Sequence, residues 1–203
     1  MDDRLTESLQ AGTLLLIRHG QTAWNAERRF LGRTDIPLDE VGAGQARRLA
    51  RRLAGGVDVV WSSPLTRALE TARGLGDPRV DPELTEMDMG ELEGLGGAEV
   101  EARFPGLMAR WRDEPEAIAT PGGETLAEVA ARGWRALTRI AGTVGDQRVA
   151  VVTHQLLLAT VVCRLHAERP GAYRKFMHRN TGITAIEASS LRVRTFDDAA
   201  HLD

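Results

Sequence analysis

The sharpest change in polarity along the chain falls early. Leu14-Leu15-Leu16-Ile17 is an unbroken apolar run, and within one residue it gives way to Arg18-His19-Gly20. Such a run reads as a short strand buried inside a parallel α/β sheet. Ligands of these sheets collect in the crevice outside the carboxyl ends of the strands. The switch therefore sets a cation, an imidazole and a flexible joint at a candidate site mouth. On this pattern alone, an ordinary exit from strand to loop explains the run equally well.

The loop over 20–37, closed by Pro37, is long enough to carry function. Asp39 is placed to cap a helix to about Ala54, with Val41, Ala46, Leu49, Ala50 and Leu53 as its apolar stripe. Arg47, Arg48, Arg51 and Arg52 fall mostly on the other face. With no aromatics interleaved, they read as a solvated face rather than a nucleic-acid surface. Gly55-Gly56 ends that helix, and Val57 to Trp61 predicts a second buried strand. Ser63 and Pro64 suit the N-cap and first position of the next helix, which ends near Gly74 or Gly76 before a short third strand at Val80.

Residues 82–123 are less regular, with short helices expected at Ala98 to Arg103 and Leu107 to Arg112 and a turn at Thr120-Pro121-Gly122-Gly123. The longest helix is expected from Glu124 to Ala141, a strand from Arg148 to Thr153, and a largely buried helix from Leu156 to Leu165. Ile183 to Glu187 and Leu191 to Phe196 read as a hairpin. Residues 1–11 are expected as a disordered leader and 197–203 as a flexible tail. Without repeats or a linker, the pattern predicts one three-layer α/β domain over 12–196, a mostly parallel central sheet with helices on both faces.

Composition narrows the class. A chain of 203 residues fits one domain, and a net charge of -3 lacks the basic excess of a nucleic-acid binder. The single cysteine, Cys163, excludes an internal disulfide and a Cys-rich metal site and suits a reducing compartment. No apolar run approaches the ~20 residues of a membrane span. A cytoplasmic location, with neither nucleic acid nor membrane as partner, is the expectation.

Several motifs recur in a telling order. Arg18-His19-Gly20-Gln21-Thr22-Ala23-Trp24-Asn25, Arg28-Arg29-Phe30 and Gly32-Arg33-Thr34-Asp35-Ile36-Pro37-Leu38 are followed by Ser62-Ser63-Pro64-Leu65-Thr66-Arg67-Ala68. Then come Leu84-Thr85-Glu86-Met87-Asp88-Met89-Gly90, Pro121-Gly122-Gly123-Glu124 and Val152-Thr153-His154. The set, over roughly 13–187, resembles the histidine phosphatase superfamily, the phosphoglycerate-mutase-like proteins. The resemblance implies that fold and phosphoryl chemistry, with no cofactor and no metal.

The residues themselves suit such chemistry. Three expected strands end at Arg18-His19, in the loop before Arg67, and at Thr153-His154. In a parallel sheet these ends share one edge, where a phosphate dianion would meet two guanidinium groups and two imidazoles. His19 is the candidate nucleophile, one ring nitrogen free if the other donates to a backbone carbonyl, which the resemblance assigns to Gly20. Arg18, Arg67 and His154 are candidates for holding the phosphoryl oxygens. For Arg67 an ion pair with Glu70, and for His154 a helix cap, are the plainer alternatives.

By resemblance, Glu86 is the general acid and base, with Asp88 second, and Asn25 is a further oxygen donor, although an Asn in a loop also suits a turn. Thr22, Gln21 and Gln155 complete the candidate phosphate- and substrate-binding set, and Trp24 and Trp111 either line the mouth or fill the core. The chain also departs from the mutases, with Met89 and Gly97 where they carry Tyr and Lys, and Gln155 where a Gly usually follows the second histidine. Losing the contacts that hold a bisphosphate favours hydrolysis of a small phosphate ester. A phosphoglycerate mutase and an inactive phospho-ligand-binding module are the alternatives. Substrate identity and assembly stay open, a homodimer included.

Overall fold

The computed structural model describes residues 9–203. Six strands form one sheet: β1 (Thr13–Arg18), β2 (Val59–Ser62), β3 (Pro78–Val80), β4 (Arg148–Thr153), β5 (Ile183–Glu187) and β6 (Arg192–Asp198). Their order is β3-β2-β4-β1-β5-β6, with β3, β2, β4 and β1 parallel and the β5–β6 hairpin antiparallel at one side. β1 is apolar on both faces because both faces are covered. Leu14 and Leu16 join Val149 and Val151 in one core, whereas Leu15 and Ile17 join Ala150 and Val152 in the other. Register then fixes the edge: Arg18 lies opposite Thr153, and Ser62 opposite Val152, so the polar exits of β1, β2 and β4 are neighbours.

The helices are α1 (Ala23–Ala26), α2 (Glu40–Arg52), α3 (Thr66–Arg73), α4 (Gly97–Arg103), α5 (Leu107–Asp113), α6 (Leu126–Ala141) and α7 (Gln155–Leu165). Helix α2 starts as expected, Asp39 Oδ1 accepting from the Gly42 amide at 2.7 Å. Its stripe needs a correction. Val41 is 53% exposed, because at 100° per residue it lies roughly 110° from the line through the buried Ala46, Leu49 and Leu53. Gly42 takes the buried position in that turn; a Cβ there would stand 2.0 Å from the Gln21 carbonyl oxygen.

Helix α3 begins at Thr66 rather than at Ser63-Pro64. Its cap comes from far away in sequence: Asp35 accepts from the amide and the hydroxyl of Thr66, both at 2.8 Å. Ser63 is thereby released for another use. Helix α6 starts two residues later than expected, behind a capping box between Thr125 and Glu128. Glu124 is drawn away by hydrogen bonds with the Asp88 backbone and Arg132.

The chain's last residues also depart from expectation. Of the leader expected over 1–11, residues 1–8 lie outside the described residues, while Leu9 packs on a core cluster. The tail expected over 197–203 is ordered. β6 runs to Asp198, Asp198 makes a two-pronged ion pair with Arg52 at 2.7 Å, and a 3-10 turn spans Ala200–Leu202. Sequence pattern missed this because the partners of these polar residues lie far back in the chain. No helix among the described residues is long and apolar enough to cross a membrane.

Candidate active site

His19 follows the last residue of β1 and is only 2% exposed. Its Nδ1 donates to the Gly20 carbonyl at 2.6 Å, which leaves Nε2 with a free lone pair. Gly20 is required by the tight approach of α2: a Cβ would stand 2.8 Å from the Gly42 carbonyl oxygen. The peptide around His19 is held from both sides. Its amide donates to Thr153 O (2.9 Å), and its carbonyl accepts from Asn180 Nδ2 (3.0 Å) and the Thr181 amide (3.3 Å).

His154, at the end of β4, lies fully buried with its ring centroid 5.1 Å from that of His19. Its Nε2 is 2.7 Å from Ser63 Oγ, and its Nδ1 has no protein partner. Arg67 is fully buried in the first turn of α3; its two terminal nitrogens donate to Thr34 O (3.0 Å) and Gly32 O (2.6 Å). The ion pair with Glu70 is not formed, since Glu70 accepts from the Leu38 amide instead. Arg18 donates to His178 O at 2.7 Å. The Nε atoms of both Arg18 and Arg67 are buried without a protein partner. Unpaired donors on two buried cations, beside an unpaired imidazole nitrogen, describe an anion site.

Burial sets the charge states. It holds both imidazoles well below the usual histidine range, and the Arg67 guanidinium adds to the effect. Burial also lowers Arg18 and Arg67 to about 10, which leaves both cationic at neutral pH. Two neutral imidazoles thus face two guanidinium groups.

Glu86 closes the opposite side. One carboxylate oxygen accepts from the amides of Met87 (2.8 Å) and Leu157 (3.2 Å), the other from that of Leu156 (3.1 Å). It therefore sits on the first turn of α7, where it meets free backbone N–H groups. Asp88 lies apart: it pairs with Arg33 and accepts from the Gly90 amide. A cavity of about 280 Å³ joins Arg18, His19, Asn25, Glu86 and Gln155.

The remaining candidates divide. Asn25 lines this cavity, its Oδ1 accepting from the Thr22 amide at 3.2 Å. Thr22 is buried as the cap of α1, and Gln21 spends its side-chain amide on Asp39 at 3.0 Å beside a neighbouring recess. Gln155 donates from Nε2 to Met177 Sδ at 3.2 Å. Trp111 is part of the cavity wall, whereas Trp24 lies against Gly94.

Sequence reasoning missed the supports. Arg132, on α6, donates to the carbonyls of Glu83, Thr85 and Glu86 and pairs with Glu124 at 2.9 Å, which fixes the segment carrying Glu86. Asn180 and Thr181 back the His19 peptide, and Thr181 takes up a left-handed conformation (φ 60°) to do so. The one available signal was the polar Asn180-Thr181 pair set just before a buried strand.

Comparisons with known proteins identify the family. The profile of the histidine phosphatase superfamily (branch 1) matches residues 14–195. Phosphoglycerate mutase-like protein 4 of Arabidopsis thaliana is 30% identical over 210 residues, 98% of this chain and 90% of that protein. Among solved structures, Bacillus stearothermophilus YhfR superposes with a TM-score of 0.87 at 30% identity, covering 94% of this chain and 99% of that one. Phosphoserine phosphatase from Entamoeba histolytica, in complex with 3-phosphoglyceric acid, gives 0.83 at 27% identity over 94% and 99% of the two chains. With its matched profile, its relatives and its α/β frame, the chain is an enzyme of the histidine phosphatase superfamily, branch 1.

Proposed function

We propose that the chain hydrolyses small phosphate monoesters by way of a phosphohistidine on His19. The observation that carries this reading is the 2.6 Å bond from His19 Nδ1 to Gly20 O, which turns the Nε2 lone pair loose beside two buried guanidinium groups. The phosphoryl oxygens take the free donors of Arg18 and Arg67. Ser63 Oγ accepts from the Leu65 amide (3.3 Å) and gives its own proton to His154 Nε2, so His154 Nδ1–H is a further donor.

His19 Nε2 attacks phosphorus, the P–O bond to the alcohol breaks, and the leaving oxygen takes a proton from the Glu86 carboxyl. The Glu86 carboxylate then removes a proton from water, whose oxygen attacks the phosphohistidine. Inorganic phosphate and neutral His19 result, and Glu86 is protonated for the next turn. The guanidinium groups balance the charge on the equatorial oxygens in both steps.

Hydrolysis is favoured over isomerisation because Met89 and Gly97 stand where the mutases carry Tyr and Lys. Met89 lines the cavity, and Gly97 opens α4 without a side chain to offer. Rapid quench of a turning-over sample tests the reading: an alkali-stable, acid-labile phosphoramidate is expected on the native chain and not on His19→Ala. Net isomerisation of 3-phosphoglycerate without phosphate release would reverse the choice in favour of a mutase.

A further inference from the structure

Two polar groups on the wall of the active-site cavity take no part in the chemistry above. Gln155 opens α7 directly after His154 and is 8% exposed. Its Nε2 donates to Met177 Sδ at 3.2 Å. A thioether accepts but has no proton to give, so the amide nitrogen faces the sulfur and Oε1 is the free end. That oxygen is buried without a protein partner. A glycine, usual after the second histidine, would offer no such acceptor.

Tyr173 lines the same cavity and is 5% exposed. Its hydroxyl oxygen accepts from Trp111 Nε1 at 2.9 Å. An indole N–H only donates, so this bond leaves the phenol proton without an acceptor among the described residues. Burial raises the phenol above its usual range, which keeps that proton in place at neutral pH. A donor and an acceptor thus face one cavity without meeting each other, and a buried polar group left unmet is costly. The two make opposite demands. An ammonium would serve Gln155 and give Tyr173 nothing to donate to; a carboxylate would serve Tyr173 and bring Gln155 no proton. A hydroxyl does both.

We infer that the alcohol half of the substrate is hydroxylated, a polyol or sugar, whose hydroxyl groups accept from Tyr173 and donate to Gln155 Oε1. This rests on the phosphomonoesterase reading above and adds the substrate class. Gln155 and Tyr173 are the residues that select it, Met177 and Trp111 holding the two in place.

Calorimetry with three non-hydrolysable probes tests binding apart from turnover: butylphosphonate, 3,4-dihydroxybutylphosphonate and 2-amino-4-phosphonobutanoate. A site built to hydrogen-bond a hydroxyl rejects the analogue that lacks it, because its own polar groups are then left unpaired. The diol is therefore expected to bind about tenfold to a hundredfold more tightly than the butyl probe. Gln155→Leu removes the acceptor and Tyr173→Phe the donor, and each should shrink that ratio several-fold; the ratio cancels any change in phosphoryl binding common to both probes. Tyr173→Phe also leaves the Trp111 N–H unpaired, so if it fails to fold, Gln155→Leu carries the test. A butyl or amino-acid probe that binds as tightly as the diol, or a ratio untouched by Gln155→Leu, would overturn the inference and leave hydrolysis standing. Preference for the diol, with no phosphohistidine formed from glycerol 3-phosphate, would overturn the hydrolysis reading and leave the hydroxyl site standing. No binding of any probe would overturn both.

Discussion

His154 Nε2 lies 2.7 Å from the hydroxyl of Ser63, a residue of the loop leaving β2. The bond joins two adjacent strand ends and decides which nitrogen of His154 faces the anion site. Ser63→Ala removes the proton that fixes this tautomer. Activity (kcat/KM) is expected to fall by about tenfold to a hundredfold, with weaker inhibition by vanadate, because His154 loses the partner that orients it. Ser63→Thr should restore most of it. Steady-state kinetics on the three proteins decides.

Burial of His19 and His154 moves the acid limb of the pH profile. Both imidazoles titrate well below 6.5 in the folded chain, so His19 keeps its lone pair as the pH falls through the usual histidine range. The acid limb of kcat/KM for the free enzyme is expected below pH 6.5, and a limb at 6.5 or above would contradict the burial argument.

Stability carries the same signature. His178 and His201 are lowered to about 4, chiefly by burial, and the unfolded chain titrates near 6.5. Between these values the unfolded state binds more protons than the folded one. The stabilisation is fully present above pH 6.5 and is lost as the pH falls toward about 4, with each histidine adding up to about 1.4 kcal/mol per pH unit to the slope. Urea unfolding at stepped pH should show this slope, and His178→Asn should flatten it.

Arg132→Ala should cost about 3 kcal/mol or more, because it leaves three carbonyls without a donor and Glu124 with Arg33 alone as its ion-pair partner. Glu86 is carried by the segment that those carbonyls anchor. The variant is therefore expected to lose kcat even where it remains folded, which circular dichroism and phosphate release measured together will separate.

Gly42→Ala probes the seam between α2 and the site loop. A methyl group 2.0 Å from the Gln21 carbonyl forces the two apart, at about 1–3 kcal/mol for overpacking. The melting temperature should drop, and activity with it, since Gly20 lies in the same contact.

Much of the frame was legible because it is written locally. The apolar run of β1, the Asp39 cap and the polar strand exits depend on neighbours in sequence, and they place Arg18, His19 and His154 together. What failed depends on partners elsewhere. Asp35 caps α3 from 31 residues away, which frees Ser63 for His154. Glu86 resembles any loop carboxylate until Leu156 and Leu157 present the start of α7 to it, across some 70 residues. Its candidacy came from family resemblance alone, as did that of Asn25, and periodicity held no trace of Arg132 as a clamp.

The ordered end of the chain has a consequence for how the enzyme comes into being. His201 Nε2 lies 2.9 Å from the Thr181 hydroxyl, and the Thr181 amide donates to the carbonyls of Arg18 and His19. The His19 peptide is thus braced by residues synthesised long after it. A ribosome-bound chain can complete β1 and even β4 and still lack the brace, so competence arrives late and nearly all at once. For the same reason, a change at His201 reaches the His19 peptide through Thr181, two hydrogen-bonded links away.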